Sequence, residues 1–292
     1  MFVFRLFCWC CVLVFRMLHI VTVGTSVVRN AFRDSDRYPV LASYRGLFGR
    51  WSVASPDSFE DVEASKVVVP SHGVFRALLG YIDSDPRRSS AELNALLGYF
   101  ELLDDDGVEA VHDVLLFSTD SGVCWLCTRV LEEYLRDLGK GRLRDLGIVL
   151  QRIESVVSER IPLFGRDFKK GSINLLVRVR KIVARAREKY DIILANLTAG
   201  FKPESSLLLL ASTLYGIDKA YYIHETMREV VEIPLIPLKL SDEIKVLLEK
   251  LAKGLELSVR ERDILARIGI LPPSRKVADW SRELARILLG VG

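Results

Sequence analysis

Short apolar runs alternate with amphipathic, helix-like patterns along most of the chain. The runs short enough to form strands are residues 18–26, 66–70, 111–120, 147–153, 190–200 and 219–225. Helical periodicity is found between them at 90–103, 123–139, 173–189 and 203–216. Strands that are apolar throughout are typical of a parallel sheet covered by helices on both faces. The pattern therefore predicts a Rossmann-like, doubly wound α/β domain with a mainly parallel sheet over residues 17–240.

The last part of the chain has a different pattern. Residues 231–242 contain two prolines and predict a final edge strand that runs into a linker. Three helical patterns follow, and Ser258 with Glu261 fits a capping box. Residues 241–292 therefore predict a small helical domain. Two interpretations stay open for it: a winged-helix-like (helix-turn-helix) DNA-binding module, and a dimerisation or lid module without a nucleic-acid role.

The first 16 residues are almost wholly apolar but are interrupted by Arg5. This stretch is too short to span a bilayer well. It also lacks a clear basic region and a small-residue cleavage site, so it is a poor signal peptide. We expect Met17 to be the natural start and residues 1–16 to be a mis-annotated extension. A short anchor or a packed helix is the alternative.

Composition and cysteine use narrow the class of protein. Half of the 292 residues are apolar and 27% are charged, which is typical of a globular protein. Outside the leader, the cysteines are Cys124 and Cys127, and no second pair stands at zinc-ligand spacing. We therefore expect core cysteines, no metal site, and a reducing, cytoplasmic setting without a membrane partner.

Positive charge is concentrated in one segment. The net charge of +3 is too small to identify a partner, but residues 160–189 hold ten lysines and arginines against two acidic residues. One interpretation is a solvated helix face. The other is an electrostatic funnel for a polyanion.

Polar residues follow three of the predicted strands. Ligands of open α/β sheets bind beyond the carboxyl ends of the strands. The candidate binding residues are Gly24, Thr25, Ser26 and Asn30 after the first strand, Thr119, Ser121 and Gly122 in the middle, and Asn196, Thr198, Ala199, Gly200, Phe201 and Lys202 near residue 200. Each group also has a plain explanation, such as Ser26 as a helix N-cap and Ser121 with Gly122 as turn residues.

Lys202 stands where a helix is expected to begin. Pro203 and Glu204 suit a first helical turn, whereas a cation there is unfavourable because the helix N-terminus carries partial positive charge. The lysine either extends into solvent or shares an anion with the helix end. The chain lacks G-x-G-x-x-G after its first strand, a P-loop motif and a G-x-S-x-G elbow, and its histidines are scattered. The available groups suit a phosphate-rich ligand.

Three segments together resemble the CRISPR-associated Rossmann-like (CARF) domain family, above all its stand-alone ring nucleases. They are "VTVGTSVVRN", "STDSGVCWLCTRVLEEYL" and "NLTAGFKPE". The resemblance covers about residues 17–240, and residues 85–101 look like the family's segment after its second strand. Ala199 is a departure, since a second glycine is common there.

The resemblance implies a function and a site. CARF domains form two-fold homodimers that cradle a cyclic oligoadenylate, the second messenger of type III CRISPR immunity, and ring nucleases cut it without metal or cofactor. The family's catalytic serine falls on Ser26 and its catalytic lysine on Lys202. Its motif glycines fall on Gly24 and Gly200, with Thr25, Asn196 and Thr198 beside them.

These expectations lead to a ring nuclease that acts on cyclic tetra-adenylate. Metal-free cleavage needs the ribose 2′-OH in line with the phosphodiester and stabilised charge on the phosphoryl oxygens, giving a 2′,3′-cyclic phosphate. No strong general base is visible in the sequence, so we expect slow turnover. Two alternatives stay open: a non-catalytic CARF sensor or transcription regulator, which could contact DNA through residues 241–292, and an unrelated nucleotide-binding α/β enzyme. A HEPN effector is not expected, because no histidine follows His224.

Overall fold

A single sheet of six strands lies at the centre of the described part of the chain. The computed structural model describes residues 14–198, 202–223, 229–236 and 238–291, with the backbone alone at 202–204. The strands are β1 (Phe15–Val23), β2 (Ala110–Ser118), β3 (Gln151–Arg160), β4 (Ile192–Asn196), β5 (Lys219–Ile223) and β6 (Val230–Pro234). They lie in the order β3-β2-β1-β4-β5-β6, in which β6 is antiparallel to β5 and the other pairs are parallel. The predicted Rossmann-like α/β class is confirmed.

Helices cover both faces of this sheet. They are α1 (Ser26–Arg33), α2 (Pro39–Ala42), α3 (Arg45–Trp51), α4 (Phe59–Lys66), α5 (Gly73–Ser84), α6 (Pro86–Ser89), α7 (Ala91–Asp105), α8 (Gly122–Leu138), α9 (Phe168–Ala186), α10 (Lys202–Tyr215), α11 (Asp242–Ala252), α12 (Val259–Arg267) and α13 (Asp279–Leu288). A short 3₁₀ helix, Arg142–Leu146, lies between α8 and β3.

Strand β1 separates two hydrophobic cores. Successive side chains of a strand point to opposite faces. Val21 and Val23 pack with α1, α5, α7 and α8 on one face, whereas Leu18 and Ile20 pack with α9 and α10 on the other. All four side chains are buried, which explains why this strand is apolar throughout.

The chain changes direction across the sheet at the boundary between β1 and β4. From β1 it continues to β2 and β3 on one side, and it then crosses to β4 and β5 on the other. Val21 of β1 pairs with Asn196 of β4, so the two strands end side by side. Such a reversal opens a crevice beyond the carboxyl ends of the strands, where ligands of doubly wound folds bind. We call this boundary the switch point.

Most predicted elements are present, but three predictions are wrong. Residues 66–70 are not a strand: α4 ends at Lys66, and Val67 turns into the core while Val69 is half exposed. The third strand does not occupy 147–153. It begins at Gln151 and continues to Arg160, because Gly147 has a left-handed backbone that ends the 3₁₀ helix. Residues 85–101 precede the second strand rather than follow it.

A chain of hydrogen bonds crosses the buried face beneath α7. The side-chain nitrogen of Gln151 donates to Asp104 and to the carbonyl of Val108, so its oxygen must accept from His112 Nε2 at 2.9 Å. His112 Nδ1 therefore accepts from His19 Nε2 at 2.9 Å, and His19 Nδ1 accepts from the Tyr221 hydroxyl at 3.0 Å. Every donor and acceptor nitrogen of the two imidazoles has a partner in this chain when both rings are neutral.

The three C-terminal helices share a small core of their own. Leu248 and Leu251 of α11, Leu265 of α12 and Ala285 of α13 are buried together. The predicted capping box is confirmed: the Ser258 side chain accepts from the Glu261 N–H, and Glu261 accepts from the Ser258 N–H. Helix α13 also reaches the main domain, where Ile287 joins the core around α9.

The start of β1 lies close to the predicted leader boundary. Phe15 and Arg16 pair with Ala110 and Val111, so the strand begins two residues before Met17. The other leader positions, 1–13, lie outside the described residues. Within the described part, no helix is both long enough and apolar enough to cross a membrane.

Candidate functional site at the switch point

The turn between β1 and α1 carries the first group of predicted residues. Thr25 stands at the N-cap of α1, and its side chain makes no capping hydrogen bond. Gly24, Thr25 and Ser26 are half buried, in contrast to the fully buried strand before them. Helix α1 therefore presents a first turn whose positive end is not neutralised by its own N-cap.

Glu92, on α7, connects the predicted residues although the sequence analysis missed it. Its Oε1 accepts from the backbone N–H of Gly24 at 2.8 Å, and its Oε2 accepts from the Ser26 hydroxyl at 2.5 Å. Its backbone carbonyl accepts from the Asn196 side chain at 3.3 Å. One residue thus contacts both strands of the switch point, β1 through its turn and β4 through Asn196.

The Glu92 side chain is enclosed. Only 2% of the residue is exposed, and the Ser90 hydroxyl donates to Oε2 at 2.7 Å. No lysine or arginine forms an ion pair with it within the described residues. Three uncharged donors therefore hold a buried carboxylate directly beneath Ser26.

The segment that precedes Glu92 is fixed to α1. Arg88 donates twice to the buried Asp34, with both distances at 2.7 Å, and the Tyr81 hydroxyl also donates to Asp34. The hydrogen bonds from Arg88 lower the pKa of Asp34 to about 2. The Asn30 side chain donates to the carbonyls of Arg88 and Ser89. Asn30, a predicted ligand residue, thus holds the segment that presents Glu92.

The end of β4 forms the other side of the crevice. Asn196 is fully buried, and its Oδ1 accepts from the Thr198 N–H at 3.0 Å, which forms an Asx turn. The Thr198 hydroxyl accepts from the N–H of Ile223 at the end of β5. Three further predicted ligand residues, Ala199, Gly200 and Phe201, lie outside the described residues. Helix α10 begins at Lys202, whose side chain is also outside the description.

The end of β2 is built differently. Ser121 caps α8 by accepting from the Cys124 N–H at 3.1 Å, and Asp61 accepts from the Val123 N–H at 3.0 Å. A Cβ on Gly122 would lie 2.0 Å from the Asp61 carbonyl oxygen. Thr119 is buried and packs against Gly165. The N-terminus of α8 is therefore occupied by protein groups, and the structure does not join these three residues to Ser26 by hydrogen bonds.

Half of the basic residues of 160–189 form ion pairs within the described part of the chain. The ion pairs are Arg160–Asp120, Arg166–Asp57, Arg178–Glu159, Arg187–Asp218 and Lys189–Asp113. The local excess of positive charge counted from the sequence thus overstates the unpaired positive charge that a ligand would meet. Arg160 is nevertheless at the carboxyl end of β3, on the same edge of the sheet as the switch point.

The cysteines belong to the core. Cys124 and Cys127 are both buried, and the Cys124 thiol donates to the carbonyl of Val23 at 2.9 Å. Burial raises the pKa of the Cys127 thiol. Within the described residues, no group of histidine, cysteine, aspartate and glutamate side chains is arranged to hold a metal ion.

The fold and the site define a Rossmann-like protein whose switch point is built from a glycine-threonine-serine turn and an Asn-x-Thr turn. A family model described as CRISPR-associated protein (Cas_APE2256) matches residues 87–236, just over half of the chain. The chain belongs to this family of CRISPR-associated proteins, which is a CARF-domain family. Membership indicates a CARF-type sensor role in CRISPR systems.

Proposed function

We propose that the protein is a homodimeric ring nuclease, which binds cyclic tetra-adenylate at the switch point and cleaves it without metal. The observation that carries this proposal is the turn of Gly24, Thr25 and Ser26, which Glu92 joins to the end of β4. The N-termini of α8 and α9 are capped by Ser121 and Asp167, whereas the Thr25 side chain caps nothing. An uncapped helix N-terminus at a switch point suits a phosphate group.

The proposed reaction uses the residues on both sides of the crevice. The ribose 2′-OH attacks the adjacent phosphorus in line with the leaving 5′-oxygen, which gives a 2′,3′-cyclic phosphate. Lys202 supplies positive charge to the phosphoryl oxygens at the start of α10, and Ser26 contacts the attacking 2′-OH. A symmetric ring suits a two-fold dimer, because each half of the ring meets the same residues.

The experiment is an incubation of the purified protein with cyclic tetra-adenylate in EDTA. We expect linear products that end in a 2′,3′-cyclic phosphate, detected by mass spectrometry. Ring that stays bound and uncut would refute the nuclease while leaving a cyclic-oligoadenylate sensor. Absence of binding would refute both, and cleavage that requires added metal would refute the metal-free mechanism.

A sensor or transcription regulator is the second candidate, and the contact between α13 and α9 favours it. Lys169, in the first turn of α9, lies 5.1 Å from the ring centre of Trp280 on α13. Helix α9 packs against α10, which begins beside the switch point, and against α13, so α9 connects a ring bound at the switch point with the C-terminal helices. This candidate predicts DNA binding that changes when cyclic tetra-adenylate is added. A gel-shift assay with the ring present and absent separates it from the nuclease.

A further inference from the structure

The Ser26 hydroxyl is oriented by the carboxylate beneath it. An ionised carboxylate only accepts hydrogen bonds, so the hydroxyl proton of Ser26 points at Glu92 Oε2 across 2.5 Å. Among the described residues no donor contacts Ser26 Oγ, so its lone pairs can accept from a ligand that donates. A ribose 2′-OH is such a donor, whereas a phosphoryl oxygen is not. The geometry therefore makes Ser26 an acceptor toward the ligand.

Glu92 itself is beyond the reach of a ligand. Its residue is 2% exposed, and Ser26, Ser90 and the Gly24 N–H surround its two oxygens. Any effect that it has on bound substrate must pass through Ser26. Its position is also fixed at both ends, because Ser90 caps the same helix and Asn196 holds its backbone carbonyl.

We propose that Glu92 is the proton acceptor behind Ser26, and that the two residues form a relay which activates the 2′-OH. The proposal rests on the proposed nuclease function. The 2′-OH passes its proton to Ser26 Oγ while the serine proton moves to Glu92 Oε2. The 2′-oxygen then bonds to phosphorus and the bond from phosphorus to the 5′-oxygen breaks. That oxygen takes a proton from water, and Glu92 passes its proton back through Ser26 to the hydroxide that is left, so the protons balance and no other reactant is consumed.

Glu92 thus acts on the substrate only through Ser26, as a positioning residue. It is also the final proton acceptor, the general base that the sequence analysis did not identify. General-base assistance contributes about 100- to 10,000-fold to a rate. A merely structural Glu92 would instead hold the β1–α1 turn in place. Its neutralisation would then weaken ring binding as the turn loosens. The relay predicts the opposite for binding, because removing a negative charge beside a phosphate does not weaken the attraction between protein and ring.

The first test is Glu92→Gln, which keeps the side-chain shape and one acceptor oxygen. Single-turnover cleavage at saturating cyclic tetra-adenylate separates the chemical step from binding, and the Kd is measured on the same protein. We expect the rate to fall about 100-fold or more while the Kd is unchanged or lower. Glu132→Gln is the matched control. Glu132 is also 2% exposed and accepts from a serine hydroxyl, that of Ser158 in β3, and it differs from Glu92 in being paired with Arg129 and Arg136.

The second test needs no variant. The relay moves two protons in one step. The wild-type single-turnover rate, plotted against the fraction of deuterium in the solvent, should therefore bow below the straight line that joins its end points. A linear dependence indicates a single proton in flight and overturns the relay, even if Glu92→Gln fails to fold. A folded Glu92→Gln with the wild-type rate also overturns it, as does one that loses binding but keeps the rate at saturation.

These outcomes are distinct from failure of the proposed function. Wild-type protein that binds the ring and leaves it uncut in EDTA refutes the nuclease and the relay together. A second result refutes the relay alone. In it, the wild-type protein and the Glu132→Gln control cut the ring, and the Glu92→Gln variant cuts it at the same rate.

Discussion

The neutral histidine pair beneath α7 should make the protein unstable in mild acid. Burial lowers the pKa of His112 from its ordinary 6.5 to about 4. Burial, and then the neighbouring His112, lowers the pKa of His19 well below 6.5. Because folding lowers both pKa values, the unfolded chain takes up protons first as the pH falls. The stability is therefore fully present above pH 6.5 and is lost as the pH falls toward 4.

The size of the effect follows from the His112 pKa. With 6.5 in the unfolded chain and about 4 in the folded protein, the free energy of unfolding at pH 5 is lower than at pH 8 by about 2 kcal/mol. His19 adds a contribution of the same sign that cannot exceed about 2 kcal/mol at pH 5. Against a total of roughly 5–15 kcal/mol for a folded domain, this is a large fraction. Asp34, with a pKa of about 2, titrates below this window.

Urea unfolding at pH 8, 6.5 and 5 measures the effect, with the free energy of unfolding extrapolated to water at each pH. His112→Gln removes one titrating group and should flatten the dependence, although the variant is less stable at pH 8. His72→Asn is the control, because His72 is an exposed N-cap of α5 and asparagine can take over that role. A free energy that is constant from pH 8 to 5, or an unchanged slope in His112→Gln, would contradict the neutral pair.

Two further predictions concern the sheet edge. Gly122→Ala should destabilise the protein by about 1–3 kcal/mol or more, because its Cβ would lie 2.0 Å from the Asp61 carbonyl. Gly46→Ala, in α3, is the control, because a Cβ there meets nothing within 4 Å. The melting temperature of this variant should be unchanged or higher. Equal melting temperatures of the two variants would refute the close contact at Gly122. Lys202→Ala should abolish cleavage of cyclic tetra-adenylate in EDTA with an unchanged circular dichroism spectrum, whereas Lys245→Ala, in the first turn of α11, should cleave normally. Wild-type rates in Lys202→Ala would remove this lysine from the mechanism.

The elements with a strong local pattern could be predicted from the sequence. Strand β1 is apolar because both of its faces are covered, and the helical patterns of 90–103 and 123–139 became α7 and α8. Residues 66–70 were misleading because Val67, Val68 and Val69 favour strands locally. Helix α4, which begins after its N-cap Ser58, instead includes Lys66, and Val67 follows as its buried C-cap residue. Tertiary context therefore overrode a short run of residues with high strand propensity.

The third strand was displaced for a different reason. Strand β3 lies at the edge of the sheet, and Glu154 and Ser155 are exposed between the buried Ile153 and Val156. Because residues 147–150 are more apolar than the polar positions of β3, the sequence pattern placed the strand too early in the chain. A half-exposed edge strand carries a weaker hydrophobic signal than a central one.

The candidate site was only partly accessible to sequence reasoning. Gly24, Ser26 and Asn196 could be singled out because they follow apolar strands, and the structure joins them through Glu92. Glu92 was missed because it is far from Ser26 in the chain and because an acidic residue in a first helical turn is ordinary. The signal for it was a serine and a glutamate opening α7, inside the segment 85–101 that already resembled the family.

The location of the ligand tests the central claim most directly. A photoreactive azido derivative of cyclic tetra-adenylate, irradiated on the protein and followed by digestion and mass spectrometry, reports which residues contact the ring. We predict adducts within residues 24–30 and 196–202, suppressed by excess unmodified ring. Adducts confined to residues 241–292, or to the cavity at the opposite edge of the sheet lined by Arg16, Arg152 and Glu154, would contradict binding at the switch point.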